Sequence, residues 1–374
     1  MENPRLPPPG TGEEYMNRYG SDNMDMPLDD EQPEEELDDS IESAFSVVRS
    51  SVDKIKLTVE ELPINFISSG STLLDLAMAD QLPGGFPIGQ MSQIFGDFST
   101  GKSLLTIEAM CSAALHNAEY FLIESEGAFS TIRAMKVFGL EKIHEHIIPC
   151  STIEHFFDDI LPELRKQKTA QFMLIGVDSV TAMSSEVENT DLRKGEYARK
   201  PRQISRAMEQ IDHNKLREEG IALVFVDQIR DTMATGMFAE KTQATSGRAL
   251  RFYTRNRVKL AKTGTVVVTK KGVKKTVGVD IQAKVVKSTI AAPLRAVPIR
   301  ILFDYGIDDI TSNLIWLKEL GINPNSMIGT SGKNIGAQRV FIEENDMEED
   351  VRHLVYEAWK EFYAVDERKP KKRF

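Results

Sequence analysis

Gly96-Asp97-Phe98-Ser99-Thr100-Gly101-Lys102-Ser103 decides the reading of this chain. The octapeptide fits G-x-x-x-x-G-K-[ST], a loop that cradles the phosphates of a nucleotide. Its glycines let backbone N–H groups close around the anion. Lys102 supplies a point charge to the β- and γ-phosphates, and the Ser103 hydroxyl completes a Mg²⁺ shell. The flanking sequence agrees. Gln90–Phe95 reads as a strand, and Leu104–Leu115 as a helix whose N-terminal dipole faces the phosphates.

Outward from this loop, short apolar runs alternate with helical stretches. Strands are expected at Met91–Gly96, Tyr120–Glu124, Ile147–Cys150, Phe172–Asp178 and Leu223–Gln228, and helices at 102–116, 130–138, 153–167 and 203–218. The alternation predicts an α/β fold, a mostly parallel twisted sheet with helices on both faces. After Arg248 the pattern changes. Arg255–Thr269 and Thr276–Lys287 read as long strands joined through Lys270-Lys271-Gly272, and Pro298–Tyr305 as one more strand. Residues 58–322 are expected to form the ATPase-type core. Residues 323–374 are expected to form a small separate α/β domain with a basic tail at Arg368–Arg373.

The 374 residues suffice for one large core plus a small domain. The net charge of −11 is uneven: residues 1–45 hold 14 acids and two arginines, and the rest holds 43 acids and 44 bases. The body is thus near neutral, which leaves room for a local basic face. Residues 1–40 are rich in Pro, Asp and Glu and are expected to be a disordered acidic arm. Residues 41–57 follow as a helix and linker, with Ile41, Ala44, Phe45, Val48, Val52 and Ile55 at helical spacing. Two cysteines, Cys111 and Cys150, suggest neither a metal cluster nor a disulfide framework. No run approaches the roughly 18 apolar residues of a membrane span, and the polar N-terminus predicts no leader. A cytoplasmic protein is expected.

Three further segments supply what the phosphate loop needs. Asp178 closes an apolar run in Gly176-Val177-Asp178-Ser179, where a carboxylate can hold Mg²⁺ through its water shell. Glu124 and Glu126 end another strand. One of them can polarise the water that attacks the γ-phosphate, and Glu126 is the favoured one. Gln228 closes a further strand and can contact the γ-phosphate, reporting it to the loop that follows. That loop, Asp231–Ser246, runs to 16 residues, longer than most loops in compact domains. A second irregular stretch, 185–200, carries Arg193, Lys194, Arg199 and Lys200. Arg248, Arg251, Arg255, Arg257, Lys259, Lys262, Lys270, Lys271, Lys274 and Lys275 form a basic band suited to salt-sensitive, sequence-independent DNA binding. The C-terminal unit, with Lys333 and Arg339, is expected to gather duplex DNA.

These motifs in this order resemble the RecA/UvsX homologous-recombination ATPases, most closely a phage-type member. Further matches are Pro83–Gly89, Ala249-Leu250-Arg251-Phe252-Tyr253 and Lys284–Pro293, and the resemblance covers roughly residues 58 to 362. It implies a filament on single-stranded DNA, with ATP at subunit interfaces, that pairs the strand with a homologous duplex. It makes Lys102, Glu126 and Gln228 the catalytic set, with Ser103 and Asp178 on Mg²⁺. It makes 185–200 and 229–246 the two DNA loops, with Arg193, Lys194, Arg199, Arg202, Arg230, Phe238, Ser246, Gly247 and Arg248 as contacts. Arg133 falls where relatives stack a side chain on the adenine, and Phe252 near a link to the neighbouring subunit. Lys287 falls where bacterial members reach across the interface to the phosphates. Single-strand-binding and mediator proteins are further implied partners.

The chain departs from the family in places. Thr289 stands where bacterial members carry a second trans lysine, and Asp227 where Asn usually precedes the sensor Gln. The acidic end is N-terminal and the basic end C-terminal. Two other readings share the core. A ring helicase motor usually has a sizeable N-terminal domain, whereas residues 1–57 are short and acidic. A non-catalytic mediator would not need Lys102, Ser103, Glu126 and Asp178 intact.

Overall fold

The computed structural model describes residues 65–127, 129–140, 142–184, 199–211, 213–231, 242–244, 247–327 and 334–364. The expected acidic arm and the helix over 41–57 lie outside them. A short ribbon of β1 (Phe66–Ile67) and β2 (Phe86–Pro87) flanks helix α1 (Thr72–Ala79). The main sheet then begins with β3 (Met91–Gly96), helix α2 (Lys102–Leu115) and β4 (Glu119–Glu124). Helix α3 (Thr131–Phe138), β5 (Ile147–Pro149), helix α4 (Leu161–Gln167) and β6 (Met173–Asp178) follow. Next come α5 (Arg199–Gln210), α6 (His213–Glu218), β7 (Ile221–Asp231), β8 (Thr242–Ala244) and α7 (Gly247–Tyr253). A hairpin of β9 (Asn256–Lys270) and β10 (Val273–Lys287) leads to β11 (Ala296–Leu302) and β12 (Gly306–Ile307). Helices α8 (Asp309–Glu319), α9 (Pro324–Met327), α10 (Ile335–Glu344) and α11 (Glu348–Tyr363) complete the described chain.

The main sheet runs β12-β11-β10-β9-β3-β7-β6-β4-β5, with β8 attached to β7. From β5 to β9 all neighbours are parallel, and from β9 to β12 all are antiparallel. The period-2 alternation of the parallel strands sorts their side chains into two cores. Leu122, Leu174, Ala222 and Val224 join one cluster with α1 and α2. Ile123, Ile175, Leu223 and Phe225 join the other with Phe156, Leu164, Ile204 and Met208. Burying such side chains stabilises by about 1.5–3 kcal/mol each. Both sheet faces are covered, as parallel strands require. Helix α2 lies close on β6: a Cβ at Gly176 would meet Thr106 Cγ2 at 2.5 Å, so that approach needs a residue with no side chain.

Three expectations change in detail. The helix expected over 153–167 opens with wide, π-type turns over His155–Ile160 before α4; Pro162, just inside α4, has no N–H to donate to the preceding turn. The helix expected over 203–218 is two helices, α5 and α6. The C-terminal segment was expected to stand apart as an α/β unit. Among its described residues it is helical, and it shares the main core. Val351, Leu354, Val355, Ala358 and Trp359 recur at helical spacing and enter the cluster that holds α1 and α2. Trp359 Nε1 donates to Asp80 Oδ1 at 2.9 Å. Arg295 pairs with Asp80 at 2.8 Å and lies over the rings of Trp359 and Tyr363.

Candidate active site

The phosphate loop joins β3 to α2. Its backbone turns left-handed at Ser99 and Gly101 (φ +56 and +86). A Cβ at Gly101 would meet Ile301 Cδ1 at 2.4 Å. Gly101 is also the N-cap of α2 and offers no capping side chain. The first N–H groups of the helix are therefore available to an anion. Asp97 Oδ1 accepts from the Phe98 N–H at 2.7 Å, and Thr100 Oγ1 donates to Asp97 O at 2.9 Å. Lys102 is buried, and its Nζ donates to Asp97 O at 2.7 Å and Gly96 O at 3.2 Å. Burial draws its pKa below the usual ammonium range, against the pull of Asp178, Glu126, Asp97 and Asp227.

The parallel register brings the carboxylates to the same sheet edge, Glu124 beside Asp178 and Gly96 beside Gln228. Burial pushes Asp178 up to about 6, opposed by a hydrogen bond from Ser103 and the charge of Lys102, and aided by Glu126 and Glu124. Glu126 is the hub. Its Oε1 accepts from Ser179 Oγ at 2.8 Å and from Gln228 Nε2 at 3.0 Å. Its own N–H donates to Glu124 Oε1 at 3.1 Å. Ser125 N–H donates to Asp178 O, and Ser125 Oγ to Ser179 O. The peptide bond Asp178–Ser179 is cis.

A cleft of about 260 Å³ opens beside these groups, lined by Ser103, Glu124, Glu126 and Asp178 on one wall and by Phe129 and Phe303 among its apolar residues. The donor set fits Mg²⁺-ATP. A buried ammonium and uncapped helix N–H groups suit phosphate oxygens; a hydroxyl and a carboxylate suit a small divalent cation; an apolar wall suits a base. Among the described residues no group of three or more His, Cys, Asp or Glu could hold a metal alone.

Beneath the phosphate loop runs a buried polar chain. Thr181 Oγ1 donates to Asp227 Oδ1 at 2.6 Å, and Gln93 Nε2 to Asp227 Oδ2 at 2.9 Å. Gln93 Oε1 accepts from Arg257 Nε at 2.6 Å. Arg257 is 7 % exposed and lies over the Phe95 ring at 4.6 Å. This corrects the expected basic band: Arg257 faces the interior.

The other expected contacts are placed as follows. Ile229, Arg230 and Asp231 pair antiparallel with Ala244, Gln243 and Thr242, so the ends of the long second loop are closed by a short ribbon. Phe238, Ser246, Arg193 and Lys194 lie outside the described residues. Arg199 and Arg202 are on α5, Arg230 on β7, and Gly247 and Arg248 at the start of α7; these side chains are outside the described set, as is that of Arg133 on α3. Ala134, Val137 and Phe138 of α3 line the cleft. Lys287 does not approach its own phosphate loop. It pairs with Arg257, which pairs with Gln93 in the first half of β3. Its Nζ caps α7 through the carbonyls of Arg251, Phe252 and Thr254. Phe252 beside it is 77 % exposed. Ser179, Phe129 and Phe303 are the site residues the sequence did not reveal. Ser179 had a signal, standing next to Asp178; the two aromatics had none.

The RecA N-terminal domain family model matches residues 37–308. Protein RecA of Colwellia psychrerythraea (strain 34H) is 31% identical over 262 residues, 70% of this chain and 71% of that protein. A crystal structure of the RadB recombinase aligns with 66% of this chain and 100% of its own, at 21% identity and a TM-score of 0.46.

Proposed function

The chain belongs to the RecA family, and from that premise we propose that it is a DNA recombinase, a DNA-dependent ATPase that polymerises on single-stranded DNA with ATP and exchanges strands with a homologous duplex. The observation that carries this reading is the double hydrogen bond at Glu126 Oε1. One donor, Ser179, follows the Asp178 strand. The other, Gln228, sits on β7, whose next residues pair with β8 to frame the second loop. Hydrolysis and the DNA loop thus meet at one carboxylate.

In this reading Lys102 and the N-terminus of α2 hold the phosphates. Glu126 orients the attacking water and takes its proton, a contribution of about 10²–10⁴ in rate for a placed general base. Ser103 and Asp178 would hold Mg²⁺, which supplies charge neutralisation on the β- and γ-oxygens. Gln228 is shared between Glu126 and the incoming γ-phosphate, and its exchange between them moves the end of β7 and the loop beyond. Phe303 and Phe129 face the base. Arg133 stacks on it, and Lys287 and Phe252 act toward the neighbouring subunit. Arg193, Lys194, Arg199, Arg202, Arg230, Phe238 and Ser246–Arg248 take the single strand. The phage-type assignment, the cytoplasmic location and partnership with single-strand-binding and mediator proteins belong to the same proposal. Among the described residues no helix is long and apolar enough to cross a membrane.

The test is ATP hydrolysis with and without single-stranded DNA, paired with electron microscopy. Stimulated turnover on filaments, lost in Lys102→Ala, is expected. Closed rings would favour the helicase motor. DNA binding with turnover indifferent to Lys102→Ala would favour a mediator.

A further inference from the structure

The carboxylate of Glu126 stands where the backbone alone cannot fix it. Glu126 lies just past the end of β4, and Gly127 after it turns left-handed, φ +66. The residue is exposed, and several rotatable bonds separate its carboxylate from the chain. A general base has to sit within hydrogen-bond reach of the proton it takes. Something other than this loop must therefore hold the side chain.

Ser179 is placed to do so. It is 0 % exposed. Its N–H donates to Ser125 Oγ at 3.0 Å, and its carbonyl accepts from Ser125 Oγ at 2.8 Å. The same carbonyl accepts from the Ala182 N–H at 3.0 Å, and the Ser125 N–H donates to Asp178 O at 3.0 Å. The segment after β4 is thus clipped to the segment after β6, directly beyond the Glu124–Asp178 pair that ends the two strands. From this fixed post the Ser179 hydroxyl reaches Glu126 Oε1 at 2.8 Å.

Gln228 Nε2 donates to the same oxygen at 3.0 Å, but the two donors are not equivalent. Gln228 is shared with the incoming γ-phosphate in the proposed reaction, and once drawn there it no longer holds Glu126. Ser179 is fixed by its own bonds and stays. Among the described residues, both side-chain bonds to the Glu126 carboxylate fall on Oε1, so Oε2 is the oxygen left to take a proton from water. A carboxylate only accepts, so the group that anchors it has to be a donor such as this hydroxyl. We propose that Ser179 is a positioning residue: its hydroxyl anchors Glu126 Oε1 and keeps Oε2 turned toward the attacking water while Gln228 is engaged elsewhere. The proposal rests on the reading of Glu126 as the general base.

The test compares the full chain with Ser179→Ala, Ser179→Thr, Glu126→Gln and the double variant of Ser179→Ala with Glu126→Gln. ATP hydrolysis is followed with single-stranded DNA present, and nucleotide affinity with a fluorescent analogue. A misplacement of about 1 Å can cost about 10²-fold in rate. Ser179→Ala should therefore lower kcat by about 10- to 10²-fold, with KM and analogue binding held within about twofold. Ser179→Thr keeps the hydroxyl and should recover most of that rate. In the Glu126→Gln background the Ala change should cost less than about twofold, because the side chain it holds no longer acts as a base. An unchanged kcat in Ser179→Ala overturns the proposal. So do losses that multiply across the cycle, which mark a merely structural role, and a raised KM with kcat kept, which marks a nucleotide contact. Should thermal unfolding show that Ser179→Ala does not fold, Ser179→Cys, a much weaker donor of similar shape, takes its place in the cycle. Hydrolysis by Glu126→Gln at the parent rate would strike the reading of Glu126 itself, and that result does not involve Ser179.

Discussion

Asp227→Asn removes the charge at the centre of a fully buried chain. Asp227 and Gln93 are both 0 % exposed. A carboxylate has no hydrogen, so Asp227 fixes the Gln93 amide with its nitrogen toward Asp227 and its oxygen toward Arg257. Gln93 thus relays between a buried negative and a buried positive charge. Across two hydrogen bonds and one amide, about 7 Å, the attraction is about 2 kcal/mol at an effective dielectric constant of 20. An amide at position 227 can still bond both Thr181 and Gln93 after a flip, so the loss is mainly that attraction. Gln93→Glu alone sets two carboxylates face to face and should cost at least as much at pH 8. The double variant moves the carboxylate to position 93, where it accepts from Arg257 directly and from the amide that Asp227→Asn introduces. Its stability should return close to that of the parent. Urea unfolding reads this as lowered midpoints at constant slope for each single variant and recovery in the double, a coupling of about 4 kcal/mol or more, the sum of the two single losses. Additive losses would refute the relay.

Other expectations follow from the site. Glu126→Gln should slow DNA-stimulated ATP hydrolysis by about 10²–10⁴ while nucleotide binding, read by a fluorescent analogue, is kept. Phe303→Ala removes an aromatic wall of the cleft and should weaken nucleotide binding by about 0.5–1.5 kcal/mol with little change in kcat. Burial pushes Glu108 up to about 7 from an ordinary 4.5, although the Ile307 N–H donates to it at 3.0 Å. The folded state thus holds its proton more tightly than the unfolded state, so stability falls as pH rises from 4.5 through 7. Glu108→Gln keeps an acceptor and loses the charge. It should stabilise the protein at pH 8 by on the order of 2–3 kcal/mol and by nothing below pH 4.5, as read by unfolding across pH.

Much of the fold was legible because its signals are local. The strand–loop–helix around Lys102 announces itself through glycine spacing and flanking apolar runs, and β3 has the bounds expected, Met91–Gly96. The hairpin was legible because Lys270-Lys271-Gly272 interrupts two β-rich runs, and the turn falls there. What was not legible depends on partners far along the chain. Arg257 sits in a basic run and reads as surface, yet Gln93, 164 residues earlier, takes it inside. Asp80, 279 residues from Trp359, ties the C-terminal helix to the core, which no feature of 323–374 announces. Lys287 reads as a phosphate ligand by resemblance, while within one chain it caps α7. Phe303 ends no motif, and only folding brings it beside Ser103 and Glu126.

Homologous pairing is read by joint-molecule formation. The full chain, ATP, Mg²⁺ and a labelled single strand are mixed with supercoiled duplex, either homologous or unrelated. Joints are expected with the homologous duplex alone, and none with Lys102→Ala. DNA-stimulated hydrolysis without joints, or joints indifferent to homology, would contradict homologous pairing.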